Sequence, residues 1–332
     1  WWGYQRLAFY DLQPAKLWYL LTDPGAGLKG IKERTNILLL GVGGNTHEGG
    51  DLTDTIMVLS VDKKGNDSVL LSIPRDIWAA DLKAKINSAY ANGEAKKPGG
   101  GLTLSKATVE QIIGLPLQYG LLVDFNGFKS IIDAVGGIET WVADSFTDSK
   151  YPIAGKETAD CAGDPEYSCR YETVSFTQGS EHMDGDLALK YVRSRHAGGE
   201  EGTDFSRNRR QQAVLLALKQ KVLRIGIITD FRRLKLLWQA VDSATTTDLT
   251  AGETLLLGRL FGLASSHHRS VVLTQDEPQK GTPGLLIHPP EQLYGGAWVL
   301  VPKYDGFTAI HRYIACVIEN TSGCDQILNL EN

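Results

Sequence analysis

Apolar runs alternate along this chain with polar, glycine-rich breaks, and the length and periodicity of each run predict what it becomes. Asn36–Val42 is an unbroken apolar stretch that reads as a buried strand, followed by a glycine-rich loop from Gly43 to Asp51. Thr55–Val61 and Ser68–Ile73 are strand-like runs around a turn-forming segment, residues 62–67, which predicts an antiparallel hairpin. Residues 105–113 and 125–135 have helical spacing, and Gly136-Gly137 stops the second. Ile138–Val142 returns to strand, and the polar, turn-rich stretch 144–180 reads as an excursion. Asp184 is placed to cap a short helix over 184–190 that passes into an extended segment, 191–195. Asp204 is placed to cap a long helix running to about Arg224, with Val214, Leu215, Leu218 and Val222 as its apolar stripe. Further helices are expected near 231–240, 251–263 and 306–318, and strands at 271–274 and 297–301. This order predicts an α/β fold with three layers, α/β/α, around a central mixed sheet that contains the antiparallel hairpin, with peripheral excursions.

Composition narrows the class. The 332 residues are 42% hydrophobic and 22% charged, ordinary for a globular protein, and no apolar run reaches the roughly 18 residues of a membrane-spanning helix. The formal net charge of −5 argues against a generally basic nucleic-acid binder. Residues 190–224 run against that balance, with nine Lys and Arg facing Glu200, Glu201 and Asp204. The chain opens on Trp1-Trp2 without an initiator Met and is read as trimmed of whatever preceded it. Its four cysteines fall at equal spacing, Cys161 with Cys169 and Cys316 with Cys324. Neither pair has CxxC spacing, and each would close a short polar loop, which favours disulfides and an oxidising compartment over free thiols.

Hairpin geometry places the charges. Pairing about Lys64-Gly65 sets Asp54 opposite Arg75 at the open end of the hairpin, the end into which the glycine-rich loop leads. On an extended segment Arg193 and Arg195 would share a face. Arg207 falls near the start of the long helix, where its charge opposes the macrodipole at a cost of about 0.3–1 kcal/mol. A nearby anion explains a cation there better than helix stability does. Guanidinium forks match phosphate oxygens, so the set points to a phosphate or diphosphate. Singly, each has an ordinary surface role: Arg75 with Asp76 as a local ion pair, Arg193 and Arg195 as edge charges.

Nine segments then carry a resemblance: Asn36–Gly41, Leu52–Met57, Leu71-Ser-Ile-Pro-Arg-Asp76, Lys85–Tyr90, Val123–Phe128, Asp133–Ile138, Met183–Gly185, Leu189–Arg195 and Asp204–Gln212. In order and spacing this set resembles the LytR–CpsA–Psr family. The resemblance implies an N-terminal extension over residues 1–34 behind a removed membrane anchor, a catalytic core over 35–225, and closing helices and a strand of the same domain over 226–332. It also implies an enzyme on the outer face of the cytoplasmic membrane that transfers a phosphorylated glycopolymer from a polyprenyl diphosphate to peptidoglycan, assisted by Mg2+. By position, Asp54 matches the family's metal-binding aspartate, and Arg75, Arg193, Arg195 and Arg207 match its diphosphate-binding arginines. Lys85 and Asn87 lie in a family motif as site support.

Two departures stand out. The family commonly has an aspartate in the first loop, where this chain reads Gly43-Gly44-Asn45, and Ile77-Trp78-Ala79 follows the Pro-Arg-Asp motif where a second arginine is common. Asp51 is the first-choice substitute metal ligand, with Asn45, His47 and Glu48 behind it. Asp54 or Asp76 is a candidate general base, and Val214, Leu215 and Leu218 are candidates to line a prenyl site or, as ordinary core, to do nothing of the kind. The same grip would serve a diphosphate hydrolase or a non-catalytic lipid- or glycan-binding protein. A dinucleotide-binding reading of Gly41–Gly44 fails because Thr46 occupies the third glycine position.

Overall fold

The computed structural model describes residues 18–19, 21–44, 50–224, 231–264, 267–277, 279, 281, 283–304, 306–320 and 322–328. Chain contacts divide it into two compact units. The first holds the described residues up to Leu40, Thr53–Leu122 and those from Thr247 onward; the second holds Gly41–Leu52 and Val123–Thr246.

A six-stranded mixed sheet organises the first unit, in the order Thr245–Thr247, Tyr119–Asp124, Arg34–Val42, Thr53–Asp62, Ser68–Ser72, His268–Val272. The expected α/β class and central hairpin are both present. The hairpin pairs Met57 with Ser72 and Val61 with Ser68, the predicted register, while His268–Val272 runs parallel to Ser68–Ser72. Gly65 takes a left-handed turn conformation (φ 73°), and its amide donates to the Asp62 carbonyl at 2.8 Å. Ile37, Leu38, Val61, Val69 and Leu70 are almost wholly buried, which explains why these strands read as continuous apolar runs rather than alternating ones. The helix Ala251–Leu263 starts with a full capping box from Thr250 and Glu253. A disulfide between Cys316 and Cys324 ties Thr308–Glu319 to the short helix Cys324–Leu328. Strand Tyr119–Asp124 went unread in the sequence, and the strand expected at 297–301 shortens to Val301–Pro302, paired with Leu286–Ile287. Gly295 and Gly296, both at positive φ, turn the chain just before it.

The second unit is built on a core of Ile138, Val142, Phe146, Phe176, Met183, Tyr191 and Val214. Asp124 caps the helix Phe125–Ala134 by accepting from the Gly127 amide at 2.7 Å. The excursion proves to be ordered. Phe146–Pro152 pairs with Tyr171–Phe176 as a hairpin, and the Cys161–Cys169 disulfide closes the loop between them. The helix capped by Asp184 runs over Gly185–Arg193, which corrects the extended segment expected from Tyr191. Tyr191 and Val192 continue the buried face begun by Ala188 and Leu189, so packing carries the helix three residues further. The long helix Asp204–Arg224 is also capped differently. The Thr203 hydroxyl, not Asp204, accepts from the Ser206 amide at 3.2 Å, which frees Asp204 for ion pairing.

Asp184→Ala should lower the unfolding free energy by about 1 kcal/mol, the usual worth of an N-cap carboxylate, as measured by urea denaturation. The Asp184 carboxylate accepts from the Leu187 amide at 2.8 Å.

Candidate functional site

The charged residues singled out in the sequence fall into two groups, one in each unit. In the first unit, Asp54 lies near the start of strand Thr53–Asp62 and Arg75 just past its partner strand, so the hairpin register brings them into a direct ion pair through Arg75 Nη1 and Asp54 Oδ1. Asp76 is only 6% exposed and bridges two cations: Arg75 Nε stands 3.5 Å from Oδ2, and Lys85 Nζ donates to Oδ1 at 2.6 Å. The backbone is held as well. Asn87 N donates to the Arg75 carbonyl at 3.2 Å, and Leu300 N to the Asp76 carbonyl at 2.9 Å. Thr53 Oγ1 returns a bond to the Asn87 carbonyl at 3.1 Å. Lys85 and Asn87 thus act behind Arg75, fixing its loop from the side chain and the main chain respectively. The tie to Leu300 carried no sequence signal.

In the second unit, Asp204 serves two arginines through one oxygen, Arg207 Nη1 at 3.0 Å and Arg195 Nη2 at 3.6 Å. Arg207 is 4% exposed, whereas Arg195 remains open to solvent. Arg193 ends its helix with its guanidinium 4.1 Å from the Phe125 ring and Nη1 donating to the Tyr151 hydroxyl at 3.2 Å. Burial pushes the Tyr151 phenol above its usual range, with Arg193 pulling the other way, so this oxygen stays protonated and accepts. Among the described residues Arg193 has no carboxylate partner. The sequence supplied these arginines but not their supports, Tyr151 and Phe125, which lie far off in the chain.

Arg210, also in the basic stretch, belongs to the frame. It is buried, donates to Glu201 Oε2 at 2.6 Å, and its guanidinium faces Phe146 at 4.7 Å; burial lowers its pKa from the usual arginine value. Val214 is a core residue at 2% exposure, and Leu218 packs against the same core.

The donor set for a metal is sparse. Asp54 is 44% exposed with one oxygen on Arg75, so it has a second oxygen to offer. Asp51 is exposed in a turn. Asn45, His47 and Glu48 lie outside the described residues. Among the described residues no three acidic, histidine or cysteine side chains cluster as a metal cage. A lone carboxylate fits Mg2+ that arrives with phosphate oxygens, which commonly uses one or two carboxylates and the substrate, better than it fits a resident ion.

A profile of the LytR_cpsA_psr family matches residues 26–280. A polyisoprenyl-teichoic acid–peptidoglycan teichoic acid transferase, TagU of Bacillus cereus, is 31% identical over 203 residues, covering 60% of this chain and 56% of its own length. TagV of Bacillus subtilis, a transferase of the same description, is 30% identical over 215 residues, covering 63% and 48%. The chain thus spans about half the length of these relatives. Among solved structures, B. subtilis TagV superposes with a TM-score of 0.57 at 22% identity, covering 91% of this chain and all of that one. A protein from Enterococcus faecalis gives 0.60 at 22% identity, covering 92% and 94%. These structures share the fold, and the match over residues 26–280 goes further: the chain belongs to the LytR_cpsA_psr family.

Proposed function

We propose that this chain is a phosphotransferase that moves a phosphorylated glycopolymer from a polyprenyl diphosphate carrier to a hydroxyl of peptidoglycan. Relatives in the family carry names for that class of transfer. The observation that supports it most directly in this chain is Arg193, a guanidinium held by a neutral phenol and an aromatic face with no carboxylate of its own. Two residues on, Arg195 shares a single carboxylate with Arg207. Among the described residues Arg193 has no carboxylate and Arg195 has a long, shared one, so both keep donors that the oxygens of a diphosphate can accept.

In the proposed reaction an acceptor hydroxyl oxygen attacks the phosphorus bonded to the glycopolymer. A P–O bond forms to the acceptor, the bond to the bridging oxygen of the diphosphate breaks, and polyprenyl phosphate leaves. The acceptor proton passes to a base or to the leaving phosphate. Arg193, Arg195 and Arg207 bind phosphate oxygens and stabilise the charge that grows on them, which is the main catalytic contribution in phosphoryl transfer, and the family motif gives Arg75 the same role. Lys85 and Asn87 keep Arg75 in place. Asp76, with both oxygens in ion pairs, is poorly suited to accept a proton. Mg2+ bound with the diphosphate would add charge neutralisation, with Asp54 as its protein ligand and Asp51 as a second candidate. Two disulfides suit the outer face of the cytoplasmic membrane. No helix among the described residues is long and apolar enough to cross a membrane.

Incubation with a polyprenyl diphosphate glycan and a peptidoglycan oligomer, with and without Mg2+, tests the reading. The expected product is an oligomer bearing the glycan through a phosphodiester, seen by mass spectrometry. Lipid consumption without that product would identify a hydrolase, and binding without consumption a non-catalytic lipid-binding protein. Arg193→Ala and Arg195→Ala should each weaken prenyl diphosphate binding by roughly ten- to a hundredfold, as charge-assisted hydrogen bonds are worth about 1.5–3 kcal/mol, with the far-ultraviolet circular dichroism unchanged. Wild-type affinity in both variants would remove these arginines from the site.

A further inference from the structure

Asp148 is wholly buried, yet neither family motif nor proposed chemistry uses it. It sits on the hairpin strand Phe146–Pro152, inside the excursion, and its oxygens are taken by main-chain amides. Oδ2 accepts from Arg195 N at 2.9 Å and from His196 N at 3.2 Å, and Oδ1 from Lys150 N at 3.0 Å. Asp148 also forms an isolated β-bridge with Ala197. From the other side, Arg210 Nη2 donates to the Ser194 carbonyl at 2.5 Å while Nη1 holds both the carbonyl and the carboxylate of Glu201. Gly202 completes the enclosure: a Cβ there would meet the Ala197 carbonyl oxygen at 2.2 Å. Three consecutive residues, 194–196, are therefore fixed through their backbone by two buried, oppositely charged side chains from different elements, and Ala197 by the bridge to the Asp148 backbone.

We propose that Asp148 and Arg210 are positioning residues that lock the Ser194–Ala197 segment and thereby aim the Arg195 guanidinium beside Arg207 at their shared Asp204. The proposal rests on the reading of Arg195 as a phosphate-binding residue. The physical case is one of cost. Burying a carboxylate and a guanidinium is expensive unless each is hydrogen-bonded, and three of the six bonds formed here fall on one short loop. Arg195 needs such support because its side chain is open to solvent and its own contact with Asp204 is long, at 3.6 Å. Without a fixed backbone, a long exposed arginine would spread over many rotamers and would pay to be ordered each time a ligand bound.

The test is a double-mutant cycle on the whole chain, read by prenyl diphosphate affinity. Asp148→Asn keeps the shape of the side chain but leaves the Arg195 and His196 amides with a weaker, neutral acceptor. Expected is a loss of about tenfold in the otherwise wild-type protein and less than about twofold when Arg195 is already alanine, because the effect acts through Arg195. An equal loss in both backgrounds would overturn the proposal and mark Asp148 as a general fold residue. Amide hydrogen exchange reads the positioning without reference to ligand: Arg195 and His196 should lose protection in Asp148→Asn, and unchanged exchange would also overturn it. If Arg195→Ala itself binds prenyl diphosphate as wild type does, the phosphate-binding role falls, while the exchange measurement still decides whether Asp148 orders the loop. Should Asp148→Asn fail to fold, Arg210→Lys supplies the same cycle, since lysine keeps the charge but cannot span Ser194 and Glu201 together. It should show the same dependence on Arg195, and additivity there would count equally against the proposal.

Discussion

A guanidinium keeps its charge at any physiological pH, so every arginine this fold draws inward must be given an acid, a dipole or an aromatic face. Much of the local architecture answers that requirement. Arg210 takes Glu201 and two carbonyls, Arg207 takes Asp204, and Arg75 takes Asp54 with Asp76 alongside. Arg193, among the described residues, is held instead by a phenol and aromatic rings. The division sorts frame from function. Arg210, buried with its donors on Glu201 and two carbonyls, is structural, whereas Arg193 and Arg195, held by weak or shared partners, keep donors for an incoming anion.

The first unit was largely legible in the sequence because its signals are local. A turn-forming segment flanked by two strand-like runs fixes a register, and that register alone sets Asp54 against Arg75. The second unit was less legible because its determinants are distant. Nothing near Arg195 announces that Asp148, 47 residues earlier, holds its amide, or that Tyr151 meets Arg193. The polar excursion between them concealed a hairpin whose inward residues, Phe146, Asp148 and Tyr151, alternate unevenly because the register shifts between Asp148 and Tyr151. Two boundary expectations failed for a related reason. Asp184 predicted its helix start, but the helix end followed buried Tyr191 and Val192, and Thr203 displaced Asp204 as the next cap.

The departures from the family pattern also acquire a setting. Where a first-loop aspartate is common, Gly44 adopts a left-handed conformation (φ 80°), its amide donating to the Gly50 carbonyl at 3.0 Å, and a Cβ added there would lie 3.5 Å from Asp124 Oδ2. Asp124 is occupied in capping its helix. With Asp54 alone among the matched metal ligands, an Mg2+ bound as proposed would depend largely on phosphate oxygens for its coordination.

The central claim is that Arg195 and Arg207, now sharing Asp204, are exchanged onto a diphosphate when substrate binds. A crystal structure of the chain with a polyprenyl diphosphate tests it most directly. The account predicts phosphate oxygens within about 3 Å of both guanidiniums, as charge-assisted bonds require, and the Arg195–Asp204 contact broken. Phosphates bound elsewhere, with both arginines still on Asp204, would contradict it.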